Sequence, residues 1–139
     1  MTISSFPLSY CTNLHPGRSV EQVDHGLTEF TSAVQRCLGE PIAAGLWLAR
    51  SVVDELLRTP DGLARFRDRL RDRDLVCYTL NAFPYGDFHR DRVKQDVYRP
   101  DWSSPQRLQY TTDCARVLAE LLPDGCDGSL STLPLAFAP

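Results

Sequence analysis

The chain has 139 residues, 42% of them hydrophobic and 24% charged, which suits one ordinary domain with a buried core. A formal charge of −3, with Lys and Arg interspersed among Asp and Glu, lacks the basic footprint that neutralises phosphates, so nucleic acid and anionic membrane are poor candidate partners. The longest apolar run, 42–49, is far below the roughly 20 residues that cross a bilayer, and the first six residues lack a cationic start followed by a long apolar stretch, so a cytoplasmic location is expected.

A first strand is expected over 6–13, ended by the turn residues Pro16 and Gly17. Ser19-Val20-Glu21-Gln22 has the form of a capping box. Val20, Val23, Leu27, Phe30, Val34 and Leu38 follow at three- and four-residue steps, predicting a helix whose buried stripe runs to Gly39. The stretch 42–48 is apolar throughout, as in a strand buried on both faces. Ser51 can cap a short helix, and Thr59-Pro60-Asp61 opens a second with Pro60 at its first position. Leu63, Phe66 and Leu70 form its inner face, and the Arg/Asp run from Arg65 to Asp74 its solvated one.

A third strand is expected over 75–81, and a helix from Ser104-Pro105 with Leu108, Thr111, Cys114, Ala115, Leu118, Leu121 and Leu122 inside. A fourth strand is expected within 128–137. The order β-α-β-α-β-α-β predicts an α/β fold with βα repeats and a parallel sheet. A complete βα barrel takes about 250 residues, so the expectation is one domain, 1–139, forming the N-terminal portion of a TIM barrel. The free edges of such a portion need further sequence, or self-association of two copies, to cover them; the alternative fold is a small doubly wound sheet. Residues 82–104 show no clean period and carry Phe83, Tyr85, Phe88, Tyr98 and Trp102, which predicts a lid-like binding loop.

Cys11, Cys37, Cys77, Cys114 and Cys126 contain no C-x-x-C pair and are expected to be reduced and mostly buried. The chain has no P-loop, no G-x-G-x-x-G after a strand, no H-E-x-x-H and no G-x-S-x-G. Polar and aromatic groups instead trail the expected strands: Asn13 and His15, then Trp47 and Arg50, then Asn81, Tyr85 and His89, then Ser131 and Thr132. Parallel strands would gather them at one rim, where ligands of α/β proteins bind. His15 and His89 are the candidate proton-transfer or metal-binding groups, because neutral imidazole suits both tasks. Asn13, Trp47, Asn81, Phe83 and Tyr85 are the candidate substrate-binding residues. Asn81 equally suits a turn of its own backbone, and Trp47 equally suits the core. His25 falls on the outer face of the first helix and is expected to be inert. The carboxylates that a metal site requires are missing from the expected strand ends, so most ligands of a divalent ion such as manganese, zinc or magnesium would come from outside this chain.

Three segments, 10–17 (YCTNLHPG), 80–89 (LNAFPYGDFH) with VK at 93–94 and VYRPDW at 97–102, and 128–135 (GSLSTLPL), resemble the N-terminal part of the metabolite traffic protein EboE family. The likeness covers nearly all of this chain and the first third or so of the family's usual length, with the motifs in matching order. It implies a xylose-isomerase-like TIM barrel of sugar-phosphate isomerase/epimerase type, encoded beside other proteins of a metabolite-export cluster, with a divalent metal. His15 and His89 match motif positions at strand ends, with Asn13, Asn81 and Tyr85 as their neighbours. The expected activity is processing or export of a small metabolite. The alternatives are a non-catalytic carrier of that metabolite and an inactive truncated fragment.

Overall fold

The computed structural model describes residues 7–86 and 96–135. Four strands, β1 (Ser9–Cys11), β2 (Ala43–Trp47), β3 (Val76–Asn81) and β4 (Ser129–Ser131), form one sheet in the order β1-β2-β3-β4. Every pairing is parallel, so the four carboxyl ends share one edge. The chain is therefore an α/β fold with βα repeats; among the described residues the sheet is open. The central strand β2 is buried along its whole length, which explains its unbroken apolar sequence.

The helices are α1 (Val20–Gly26), α2 (Ser32–Leu38), α3 (Arg50–Arg58), α4 (Gly62–Arg71) and α5 (Pro105–Leu121). In a parallel sheet of sequential strand order, right-handed crossovers place the connecting helices on one face. Ala44, Leu46, Cys77 and Leu80 have no exposed surface, and they share a core with Val52, Val53, Phe66, Tyr110 and Val117. The register partners Thr79 and Ser129, and Asn81 and Ser131, join by side-chain hydrogen bonds of 2.9 Å each. No helix among the described residues is long and apolar enough to cross a membrane.

Three local expectations give way to better physical alternatives. The first is the continuous first helix. Ser19 Oγ accepts from Gln22 N, and Gln22 Oε1 reaches back to Arg18 N, so the cap forms as its sequence suggests. A π-helical segment, Leu27–Thr31, then separates α1 from α2. Such a segment adds a residue to the turn and moves the buried stripe on by one position. Thr31 is fully buried where the periodic pattern expects Phe30, which is 38% exposed, and Leu38 is exposed as well.

The second is Pro60. Gly62 N bonds Thr59 O, placing Pro60 inside a turn, and Asp61 takes a left-handed φ of 55° before α4 begins. Gly62 passes so near the Leu56 carbonyl that a Cβ there would lie 2.9 Å from its oxygen. The third is the phase of α5. Cys114, Leu118 and Leu121 are buried as expected, but they are joined by Arg107, Tyr110, Asp113 and Val117, while Leu108 is 61% exposed and Ala115 faces out. The charged run on α4 is mostly solvated as expected, but Arg73 turns inward to Asp24 Oδ2 at 3.0 Å.

Within 82–104, the described parts 82–86 and 96–104 contain a single 3₁₀ turn, Asp96–Tyr98. Residues 87–95, with Phe88 and His89, lie outside the described residues, as do 136 and 137 of the expected fourth strand. The five thiols are free; Cys77 and Cys114 are buried, whereas Cys11 and Cys37 are exposed, so burial extends to fewer cysteines than the composition suggests. Burial pushes both Cys77 and Cys114 up to about 12, which keeps them protonated and unreactive near neutral pH.

Candidate functional site

The carboxyl edge of the sheet divides into two regions, with Trp47 between them. On the β1 side the chain leaves Cys11 through a 3₁₀ turn, Thr12–Leu14, which delivers His15 beside the first helix. Tyr10 Oη and His15 Nε2 are 2.7 Å apart. The imidazole stacks on the Phe30 ring, with centroids 3.9 Å apart and planes 7° apart, and on Tyr10 at 5.8 Å and 10°. Phe30 is available because the π-helical segment turns it out of the core. The Phe30 ring thus fixes the imidazole plane from one face, and the Tyr10 hydroxyl fixes one of its nitrogens.

His15 borders two cavities. A cleft of about 530 Å³ opens outward between the 15–18 turn and the first helix, with Arg18, Glu21, His25 and Phe30 around it. That volume falls within the range of small-molecule sites. A much narrower pocket of about 20 Å³, room for one water, extends from His15 toward Thr12 and Trp47. His25 stands on the outer wall, largely exposed, with Nε2 2.8 Å from Glu29 Oε2. A phenol hydrogen-bonded to an imidazole at the mouth of a cleft is a unit that can take up or deliver a proton, because one group changes its bond partner as the other ionises.

On the β3 side the polar groups serve the fold. Asn81 Oδ1 accepts from both Phe83 N and Ser131 Oγ at 2.9 Å, the turn-forming use of an asparagine at a strand end. Phe83 packs at 57° against Tyr98, and Tyr85 sits edge-on to Tyr110, with centroids 5.0 Å apart. The Tyr110 hydroxyl lies 2.7 Å from Leu48 O and 3.0 Å from Pro84 O. Burial pushes its ionisation well above the ordinary tyrosine value, so it remains a neutral donor.

Trp47 ties the regions together: its N–H donates to Thr12 Oγ1 and its indole Nε1 to Pro84 O, both at 2.9 Å. The residue is 2% exposed, so the stacking role expected of it is filled by core packing instead. Arg50 bonds Asp54 and Asp113, fastening α3 to α5. Burial raises the Asp113 carboxyl, but hydrogen bonds from Gln109 and Arg50 and the charges of Arg50 and Arg116 outweigh it and hold the group below the usual carboxylate range.

The expected site residues are therefore divided. His15 borders the cleft; Asn13 lies in the 3₁₀ turn two residues before it; Asn81, Phe83 and Tyr85 belong to the β3 side; His89 lies outside the described residues. Among the described residues no three His, Cys, Asp or Glu side chains converge. Tyr10, Phe30, Arg107 and Tyr110 are functional or structural anchors that the candidate set omits. Tyr110, Cys114, Val117 and Leu121 already repeat at helical steps in the sequence, and one turn further back that stripe reaches Arg107. No family model matches the chain, and neither does any curated protein or solved structure.

Proposed function

We propose that this chain binds a small polar metabolite in the cleft beside β1 and moves a proton through His15, as the N-terminal βα portion of a sugar-phosphate isomerase/epimerase-like protein of the EboE type. The observation that carries this reading is the 2.7 Å Tyr10–His15 bond at the border of the roughly 530 Å³ cleft. His15 is the candidate catalytic residue, and Tyr10 is a positioning residue that selects its tautomer and holds its ring. The motif likeness over 10–17, 80–89 and 128–135 supports the family. A divalent metal, if the protein uses one, would take its ligands from outside the described residues, with His89 the nearest candidate in the sequence. The setting proposed is cytoplasmic. The partners are the metabolite, proteins of the same export cluster, and a second copy meeting the outer edges of β1 and β4, which among the described residues are paired on one side only.

A carrier without chemistry is the second reading, favoured by one observation: His15 is already held by the Phe30 ring on one face and the Tyr10 hydroxyl at one nitrogen, as suits a rigid binding wall. One experiment separates the two. The protein is titrated calorimetrically with phosphorylated and unphosphorylated sugars, with and without manganese, zinc or magnesium, and each ligand that binds is followed by proton NMR for isomerisation. Conversion that is lost in His15→Ala and slowed in Tyr10→Phe, with KM little changed, supports the enzyme. Binding without conversion supports the carrier. Binding unaffected by His15→Ala contradicts both.

A further inference from the structure

Arg107 lies in the first turn of α5, and its side chain has no exposed surface. The guanidinium carbon lies 5.8 Å from the Tyr85 ring centroid and 5.5 Å from that of Tyr110. Nε donates to Pro100 O and Nη1 to Ala82 O, each at 2.7 Å, so one cation grips both feet of the 82–104 stretch. Nη2 is buried and has no hydrogen-bond partner. Arg50, Arg67, Arg73 and Arg116 all pair with carboxylates: Asp54 and Asp113, Glu120, Asp24, and Asp113 respectively. Arg107, the most deeply buried of the five, has carbonyls and ring faces instead. The carboxylate of Asp101 nearby is occupied by Ser103, at 2.9 Å from its N and 2.5 Å from its Oγ.

A buried N–H without an acceptor is costly, and a guanidinium with a free N–H edge is shaped to take an oxyanion. Ala82 immediately follows β3, which puts this cation at the edge of the sheet where ligands of parallel α/β proteins bind. We propose that Arg107 is an oxyanion-binding site, taking a phosphate or phosphoryl group on Nη2. The anion gives Nη2 the acceptor it lacks and stiffens both feet of the 82–104 stretch through the same guanidinium. This site is separate from the His15 cleft, so it stands or falls on different measurements.

The test uses the full chain at constant ionic strength. Inorganic phosphate, glucose 6-phosphate, glucose and chloride are titrated while the Arg107 side-chain N–H resonances and the melting temperature are followed. Phosphate should shift the Arg107 resonances saturably and raise Tm by several degrees, with neither effect from glucose or chloride. If inorganic phosphate suffices, the natural source is the free anion; if only the phosphate ester saturates, the source is the phosphoryl group of a ligand. Arg107→Met should abolish the Tm rise, and Arg107→Lys should keep part of it. Should Arg107→Met not fold, the wild-type resonances still decide. No saturable shift with either phosphate compound, or an equal Tm rise in folded Arg107→Met, overturns the site.

Discussion

The β1 side and the β3 side of one sheet edge use similar residues for opposite ends. At β1, a tyrosine, a histidine and a phenylalanine stack beside an open cleft, and the Tyr10 hydroxyl meets a group that can titrate. At β3, a tyrosine and a tryptophan converge on backbone carbonyls with Tyr85 edge-on beside them, and the Tyr110 hydroxyl meets groups that cannot. Residue type alone does not mark a site. What separates the two regions is whether the polar end of each ring is committed to the backbone or to another side chain at a cavity.

The comparison predicts a gradient of stability effects. The largest belongs to Asp113, which accepts from Arg50, Gln109 and Arg116 at once: Asp113→Ala leaves Arg50 to Asp54 alone and should cost about 2–3 kcal/mol in urea unfolding. A cost below about 1 kcal/mol would show that α3 and α5 do not depend on it. Tyr110→Phe comes next. It removes the donor to Leu48 O and Pro84 O while Trp47 still serves Pro84, so about 1–2 kcal/mol should be lost.

Acid should expose the same side. The Asp113 carboxyl is held below its ordinary value in the fold, so its contribution is whole above the unfolded value of about 4 and is lost as the pH falls through the folded one. Asp113→Asn should therefore flatten the loss of stability below about pH 4. An unchanged slope would assign that loss to other carboxylates. The smallest effect on stability should come from the β1 side: Tyr10→Phe, which removes a partly buried hydrogen bond, should cost less than about 1 kcal/mol yet move the apparent pKa of His15 followed by NMR. An unmoved His15 titration would separate the two residues.

The sequence shows the sheet well because β2 is buried on both faces and must be apolar, and because capping and stop residues at Ser19, Gly39 and Ser104 act locally. Gly39 ends α2 with a φ of 70°, as its position suggests. The phase of α5 is harder to read, since two overlapping stripes compete and the true one opens with an arginine whose charge argues for solvent. Only the carbonyls of Ala82 and Pro100, brought in from distant sequence, make Arg107 a core residue. The π-helical segment is equally invisible to a pattern that assumes one period, and it is what brings Phe30 to His15. His15 and Asn81 both look like strand-end site residues. They diverge because Asn81 finds Phe83 N and Ser131 Oγ close by, whereas His15 finds a tyrosine hydroxyl and a cleft.

The central claim is that the metabolite whose proton is moved is bound on the β1 side of the edge. The direct test compares ligand-induced thermal stabilisation of wild type, His15→Ala and Asn81→Ala, using whichever unphosphorylated sugar binds the wild type most tightly, so that the Arg107 site does not contribute. The account predicts that His15→Ala abolishes the stabilisation and that Asn81→Ala keeps it on a lowered baseline. Stabilisation preserved in His15→Ala and lost in Asn81→Ala would contradict it.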